Sequence, residues 1–220
     1  MANSVSSKSD LEKLLMPYSR RPGIGLYKMR FEQYPTPVSI AAHMVWTASM
    51  KNRIKHLTAL DLGCGNGILI TASILAGASR GVCVEIDEDM LKVARNVIVN
   101  NYLDASYRVI FIEADATIID YSSIDVVVMN PPFGVLKSNR GKDILFLLKA
   151  ISNAKSVFSL HKYSEGFIRK LNNIVKNHQL EVIWFEVLNM EIPMIYSRHR
   201  RRIHRFKIVF IGLEKRFVGG

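Results

Sequence analysis

Leu57-Thr58-Ala59-Leu60-Asp61-Leu62-Gly63-Cys64-Gly65-Asn66-Gly67 is an apolar run that ends in an acid and a glycine-rich loop, and a helical pattern over Ile68–Ala76 follows it. A strand over Leu57–Asp61 feeding such a loop into a helix opens a β-α unit. Ligands of open parallel sheets bind beyond the carboxyl ends of the strands. Glycines serve there because a side chain would hold a ligand off the backbone. The spacing G-x-G-x-G differs from the dinucleotide fingerprint G-x-G-x-x-G, which weakens a nicotinamide reading. The alternative is a plain glycine-rich turn.

Working outward, further strands are expected over Gly81–Ile86, Arg108–Glu113, Ile124–Asn130, Ala154–Leu160, Leu180–Val187 and Arg205–Ile211. Helical patterns fall between them at Glu88–Asn100, Asp143–Ser152 and Glu165–Asn177. This alternation predicts an α/β fold, a seven-stranded, mainly parallel sheet with helices on both faces. No helical pattern separates the last two strands, so they are expected as an antiparallel pair at the sheet edge. Residues 1–56 read as an N-terminal helical extension packing on a core of residues 57–220, together one domain. Its helices are expected at Asp10–Met16 and Thr36–Lys51, the second with proline at the first helical position.

A hydrophobic content of 49% excludes disorder for the bulk of the 220 residues. No apolar run reaches the roughly 20 residues needed to span a bilayer. The start MANSVSSKSD lacks the apolar centre of a signal peptide. A cytoplasmic protein with no membrane partner is expected. Cys64 and Cys83 form no CxxC or Cys/His cluster, so no metal is expected, and they read as two separate thiols of a reducing compartment. The net charge of +11 favours a polyanionic partner, although solubility alone also accounts for basic character. Positive charge is densest in Arg198-His199-Arg200-Arg201-Arg202-Ile203-His204-Arg205.

The second strand ends Val84-Glu85-Ile86-Asp87. Glu85 at its tip suits acceptance of hydrogen bonds from ribose hydroxyls, while Asp87 suits the cap of the next helix. After the third strand, Asp115 can accept from an adenine amino group with the Ala116 N–H nearby; a surface turn is the other reading. The fourth strand ends Asn130-Pro131-Pro132-Phe133-Gly134. The Asn130 amide oxygen and the Pro131 carbonyl can both accept from one NH₂ group. Such a nitrogen has its lone pair delocalised into its ring, and two acceptors on its hydrogens favour the pyramidal, nucleophilic geometry. Pro131 and Pro132 stiffen the turn, so the acceptors are pre-organised. Phe133 offers a stacking face for a base. A proline-stiffened strand end with a core phenylalanine is the structural alternative.

With these residues in place, the chain resembles class I methyltransferases of the N/D-P-P-F/Y type. More narrowly, it resembles the methyltransferase-like protein 5 family, which makes N6-methyladenine in small-subunit ribosomal RNA. The likeness runs from about Glu32 to Gly212 and is carried by Glu32-Gln33-Tyr34-Pro35-Thr36, Asp61-Leu62-Gly63-Cys64-Gly65, Asn130-Pro131-Pro132-Phe133-Gly134 and Phe158-Ser159-Leu160-His161-Lys162. Ile192-Pro193, followed by the basic segment, also fits. The resemblance implies a Rossmann-like fold and S-adenosylmethionine as cofactor. It implies that Gln33 and Thr36 reach the cofactor from the N-terminal segment, and that Gly63, Asn66 and Ile68 line its methionine and ribose side; Asp61 and Gly65 of the same loop are also expected at the cofactor. Glu85 would stand at the ribose, and Asp115 and Ala116 at the adenine. Asn130, Pro131, Pro132 and Phe133 are the expected catalytic set. Some relatives need a small zinc-binding activator subunit that adds a strand to the sheet edge, and such a subunit is a candidate partner here.

The expected substrate is RNA, ribosomal by that resemblance. Arg198, Arg200, Arg201 and Arg202 suit phosphate oxygens. His161 and Lys162, read as following the fifth strand, are expected to approach the target nucleotide; a structural histidine is the alternative. Three competing functions differ in class: a guanine-N2 RNA methyltransferase, a protein glutamine-N5 methyltransferase, and a non-catalytic RNA-binding module. The glutamine enzymes usually carry tyrosine where this chain has Phe133. The intact glycine loop and tetrad speak against a module without catalysis.

Overall fold

The structure is a computed structural model that describes residues 5–19, 27–193 and 203–216. Its strands are β1 (Thr58–Leu62), β2 (Arg80–Glu85), β3 (Val109–Glu113), β4 (Val126–Met129), β5 (Ser156–Lys162), β6 (Leu180–Pro193) and β7 (Ile203–Lys215). Its helices are α1 (Lys8–Leu14), α2 (Val38–Met50), α3 (Ile68–Leu75), α4 (Glu88–Asn101), α5 (Leu103–Ser106), α6 (Lys142–Asn153) and α7 (Glu165–Asn177). The sheet order is β3-β2-β1-β4-β5-β7-β6. β1 to β5 pair in parallel, and β7 lies antiparallel to both β5 and β6. The expected α/β sheet and its antiparallel end are therefore present.

Strand β4 shows why both faces are covered. Val126 and Val128 join the cluster formed with α1 to α4, whereas Val127 and Met129 join the cluster formed with α6 and α7. All four are fully buried, as strands between two helical layers must be. The N-terminal extension belongs to the first cluster, where Leu11, Leu15 and Tyr18 pack beside Ile68 and Ile98. Its first helix begins earlier than expected, because Ser7 is the N-cap and accepts the Asp10 N–H. Pro37, rather than Thr36, is the N-cap of α2, and no side chain caps that helix.

Two strand boundaries differ in ways that matter. Helix α6 runs to Asn153 and closes on the Ala154 N–H, so β5 starts at Ser156 and continues through His161 and Lys162. Those two residues pair with Val209 and Ile208 and lie inside the strand, not after it. The β6–β7 hairpin is longer than its apolar runs suggested. Beyond Lys207, β7 leaves β5 behind and pairs with β6 alone as far as Pro193–Ile203. This arm overhangs the carboxyl end of the parallel strands, and Arg198, Arg200, Arg201 and Arg202 lie outside the described residues. Among those described, no helix is long and apolar enough to cross a membrane.

Candidate active site

The strand order reverses between β1 and β4, and the crevice at such a switch point is where open α/β sheets bind ligands. A cleft of about 1050 Å³, including its open mouth, lies there. Its lining includes Gln33, Thr36, Asp61, Gly63, Gly65, Asn66, Ile68, Glu85, Asp115, Ala116 and Asn130. All ten expected cofactor residues thus converge on one cleft with the first residue of the tetrad.

The glycine loop is tied to the neighbouring strand. The Gly63 and Cys64 N–H groups both donate to the Val84 carbonyl at 2.9 Å. Gly65 has φ +53°, a left-handed conformation, and among the described residues nothing beyond its chain neighbours lies within 4 Å of where its Cβ would be. Glu85 fastens the loop through its carboxylate: Oε2 accepts the Gly65 N–H at 2.9 Å and Oε1 the Asp87 N–H at 3.0 Å. Each oxygen retains a second lone pair, so the ribose role expected for Glu85 remains open to it. Burial pushes the Glu85 carboxyl above its usual range, against the pull of those N–H donors. Burial raises Asp61 further, with Glu85 repelling it. Asp61 Oδ2 accepts the Ile70 N–H at 3.2 Å, while Oδ1 is buried without a partner among the described residues.

Asn66 turns its Oδ1 toward the Ile68 N–H at 3.4 Å. Asp115 uses Oδ1 for the N–H and hydroxyl of Thr117. Asp87 caps α4, as expected, and also takes the Lys28 ammonium at 2.6 Å and the Gln33 Nε2–H at 2.9 Å. Burial alone would raise the Asp87 carboxyl, but the Lys28 and Gln33 hydrogen bonds hold it below the ordinary range. Residues 27–36 are thereby strapped across the cleft mouth.

At the tip of β4, Asn130 donates from Nδ2 to the Thr36 hydroxyl at 3.0 Å. Its Oδ1 is buried with no hydrogen-bond partner among the described residues. A buried acceptor without a donor costs on the order of 1–3 kcal/mol, and a ligand amine would relieve it. Phe133 departs from the expectation of an open stacking face. It is 8% exposed, with Tyr34 stacked on it at 5.8 Å and Phe206 edge-on at 5.7 Å. A base reaches that ring only if one of these neighbours moves.

His161 does not reach the target nucleotide in this structure. It is fully buried, stacked on Phe167 at 4.4 Å, with Nε2 paired to the Ser159 hydroxyl at 2.8 Å. Burial lowers it to about 3, so the ring is neutral. The cause is the extra length of β5, which holds it in the sheet. Lys162, next along, is exposed.

The two cysteines are not separate thiols. Cys64 and Cys83 form a disulfide with their Cα atoms 5.5 Å apart. β1 pairs Asp61 with Cys83, and the loop then folds Cys64 back against the end of β2. Sequence reading also gave no role to Lys28 and none to Glu32, whose carboxylate accepts the Gly134 and Leu136 N–H groups. Its only sequence signal is its place in the Glu32–Thr36 stretch.

Residues 41–163 match the family model described as the methyltransferase small domain. The chain is 36% identical over 190 residues to the rRNA N(6)-adenosine-methyltransferase METTL5 of Danio rerio, covering 84% of this chain and 88% of that one. It is 41% identical over 150 residues to Mettl5, the enzyme of that name from Drosophila melanogaster, covering 65% and 68%. The crystal structure of PH1948 from Pyrococcus horikoshii superposes with a TM-score of 0.82 at 26% identity, covering 96% of this chain and 98% of that one.

Proposed function

The chain belongs to the family of rRNA N(6)-adenosine methyltransferases, and on that premise we propose that it transfers a methyl group from S-adenosylmethionine to the N6 amine of an adenine in small-subunit ribosomal RNA. The observation that carries the reading is the buried, unpartnered Asn130 Oδ1 at the tip of β4, beside the cofactor cleft. When bound, S-adenosylmethionine supplies an electrophilic sulfonium methyl. Asn130 Oδ1 and the Pro131 carbonyl accept the two amine hydrogens and free the nitrogen lone pair for in-line attack. With the donor bound, the carbon–nitrogen bond would form as the carbon–sulfur bond breaks, and the surplus proton would leave afterwards to solvent.

The residues fit this cofactor. Gly65 leaves room for close backbone approach, Glu85 suits the ribose, and Asp61 Oδ1 offers an unused acceptor in a cleft that would receive a cationic ligand. The β6–β7 arm supports RNA as substrate. Lys162 is exposed at the end of β5, beside the arm, and Arg198, Arg200, Arg201 and Arg202 are by sequence the candidate phosphate contacts, which would position the RNA without choosing the base. The target adenine must be unpaired or flipped to enter. A zinc-binding activator subunit has a candidate seat at the β3 edge. That strand pairs on one side with β2, and Tyr107, Ile110 and Ile118 are exposed around it.

The test is methyl transfer from labelled S-adenosylmethionine to ribosomal RNA, followed by digestion and identification of the nucleoside, with Asn130→Ala in parallel. N6-methyladenosine that vanishes in the variant supports the reading. Methylguanosine keeps the chemistry and overturns the base.

A further inference from the structure

We propose that Glu32 is the positioning residue of the catalytic turn, a role that rests on the methyltransferase reading above. Its side chain is 5% exposed, and its backbone sits at φ +50°, a region that non-glycine residues enter at a cost of about 1–3 kcal/mol. Such a conformation persists where the surroundings fix it. Here Oε2 accepts the Gly134 N–H at 2.9 Å and Oε1 accepts the Leu136 N–H at 2.6 Å. The two donors lie immediately beyond Phe133 on one loop and converge on one carboxylate. The Tyr34 hydroxyl also donates to Oε2, at 3.3 Å, and the Tyr34 ring stacks on Phe133. One buried carboxylate therefore holds the exit of the Asn130–Phe133 turn and the ring that covers it.

The chemistry of the group explains why an acid stands there. A carboxylate presents acceptors at both ends, whereas an amide would satisfy one N–H and turn its own NH₂ against the other. The loop has little slack to compensate. Gly134 is at φ +70°, and a Cβ on it would come within 3.0 Å of the Asn139 carbonyl oxygen. Asn139 is itself buried and tied to the Arg30 carbonyl at 2.9 Å, so the same two segments are joined again a few residues on. Glu32 borders the cofactor cleft, and through the two N–H groups it holds it sets where Phe133 and the Asn130 acceptor stand relative to each other.

The experiment compares the full chain with Glu32→Gln and Tyr34→Phe. Turnover on ribosomal RNA is measured at saturating S-adenosylmethionine, with cofactor affinity, melting temperature, and amide exchange of Gly134 and Leu136 by NMR. Glu32→Gln is expected to lower kcat by roughly tenfold or more and leave cofactor affinity within about twofold, with Gly134 or Leu136 exchanging about tenfold faster. Tyr34→Phe, which removes one hydroxyl, is expected to lower kcat by about two- to fivefold at unchanged melting temperature. Unchanged kcat in Glu32→Gln overturns the proposal. So does a loss of kcat that merely follows a parallel loss of cofactor affinity and melting temperature. If Glu32→Gln does not fold, Tyr34→Phe decides, and wild-type turnover there overturns the role. Should the wild-type chain methylate no RNA, the functional reading fails, yet amide exchange still decides the clamp: unchanged exchange in Glu32→Gln removes it.

Discussion

The Asn130 amide donates to Thr36 across a separation of 94 residues, and this bond leaves the other end of the amide, Oδ1, as the acceptor proposed for substrate. Thr36 was expected at the cofactor, and it does line the cleft. Its hydroxyl also fixes which way the Asn130 amide points. Thr36→Ala should lower kcat by about tenfold, the loss of one oriented hydrogen bond in the transition state, with cofactor affinity little changed. Thr36→Ser, which keeps the hydroxyl, should recover most of that rate. Equal rates for Ala and Ser, measured on the same RNA, would sink the assignment.

Asp61 is expected to couple binding of the proposed cofactor to pH. Burial, together with repulsion by Glu85, holds its carboxyl well above the ordinary range. A raised folded-state value contributes stability below the unfolded value of 3.8, and that contribution is lost as pH rises through the folded value. A cationic ligand favours the ionised form, so binding should release a proton and affinity should grow with pH. Asp61→Asn should stabilise the cofactor-free protein at neutral pH and weaken cofactor binding by about tenfold, the worth of one charge-assisted contact. Calorimetry in buffers of different ionisation enthalpy reads the proton directly. Identical heats in all buffers would remove the coupling.

The strands that carry the cofactor loop, Glu85 and the tetrad were legible because each is a short apolar run with an abrupt polar end. What the chain does beyond those ends was not. β6 and β7 extend through Asn189, Glu191 and Lys207, where cross-strand pairing holds the polar residues while Met190 and Phe206, alternating with them, stay on the core. His161 looked like a residue past a strand end because His-Lys is polar, yet Val209 and Ile208 hold both in the sheet. Phe133 was legible as an aromatic at the right place, but its cover by Tyr34 and Phe206 comes from segments roughly a hundred and seventy residues apart. Local patterning carries no trace of such a meeting, nor of the register that brings Cys64 to Cys83.

The Cys64–Cys83 disulfide should matter for stability and for the cofactor loop alike. It closes a span of 19 residues, for which chain entropy predicts about 3 kcal/mol of stabilisation. Cys64 also lines the cleft, so breaking the bond frees the loop that Gly65 and Glu85 otherwise hold. Urea unfolding with and without a thiol reductant should show that loss, and cofactor affinity should fall in the reduced protein. Full reduction, verified by mass, with an unshifted unfolding midpoint would show that the bond contributes nothing.

Acid sensitivity should trace in part to His161. Burial lowers its folded-state value to about 3 from an ordinary 6.5. The unfolded chain therefore binds a proton at this site between those limits and the native chain does not. The corresponding stability is present above pH 6.5 and is lost progressively as pH falls toward 3, at up to about 1.4 kcal/mol per pH unit for one proton. Among the described residues Nδ1 has no hydrogen-bond partner, and the Asp143 oxygen lies 4.0 Å away, too far for a hydrogen bond. Burial also raises the Asp143 carboxyl, which leaves the ring little anionic support as the solution acidifies. His161→Gln keeps a polar group for Ser159 but cannot take up a proton. Its unfolding free energy should run flatter from pH 6.5 to pH 4 than that of the wild type, even if it is lower at neutral pH through lost stacking on Phe167. Parallel curves for the two proteins over that range would assign the acid limb to carboxylates elsewhere.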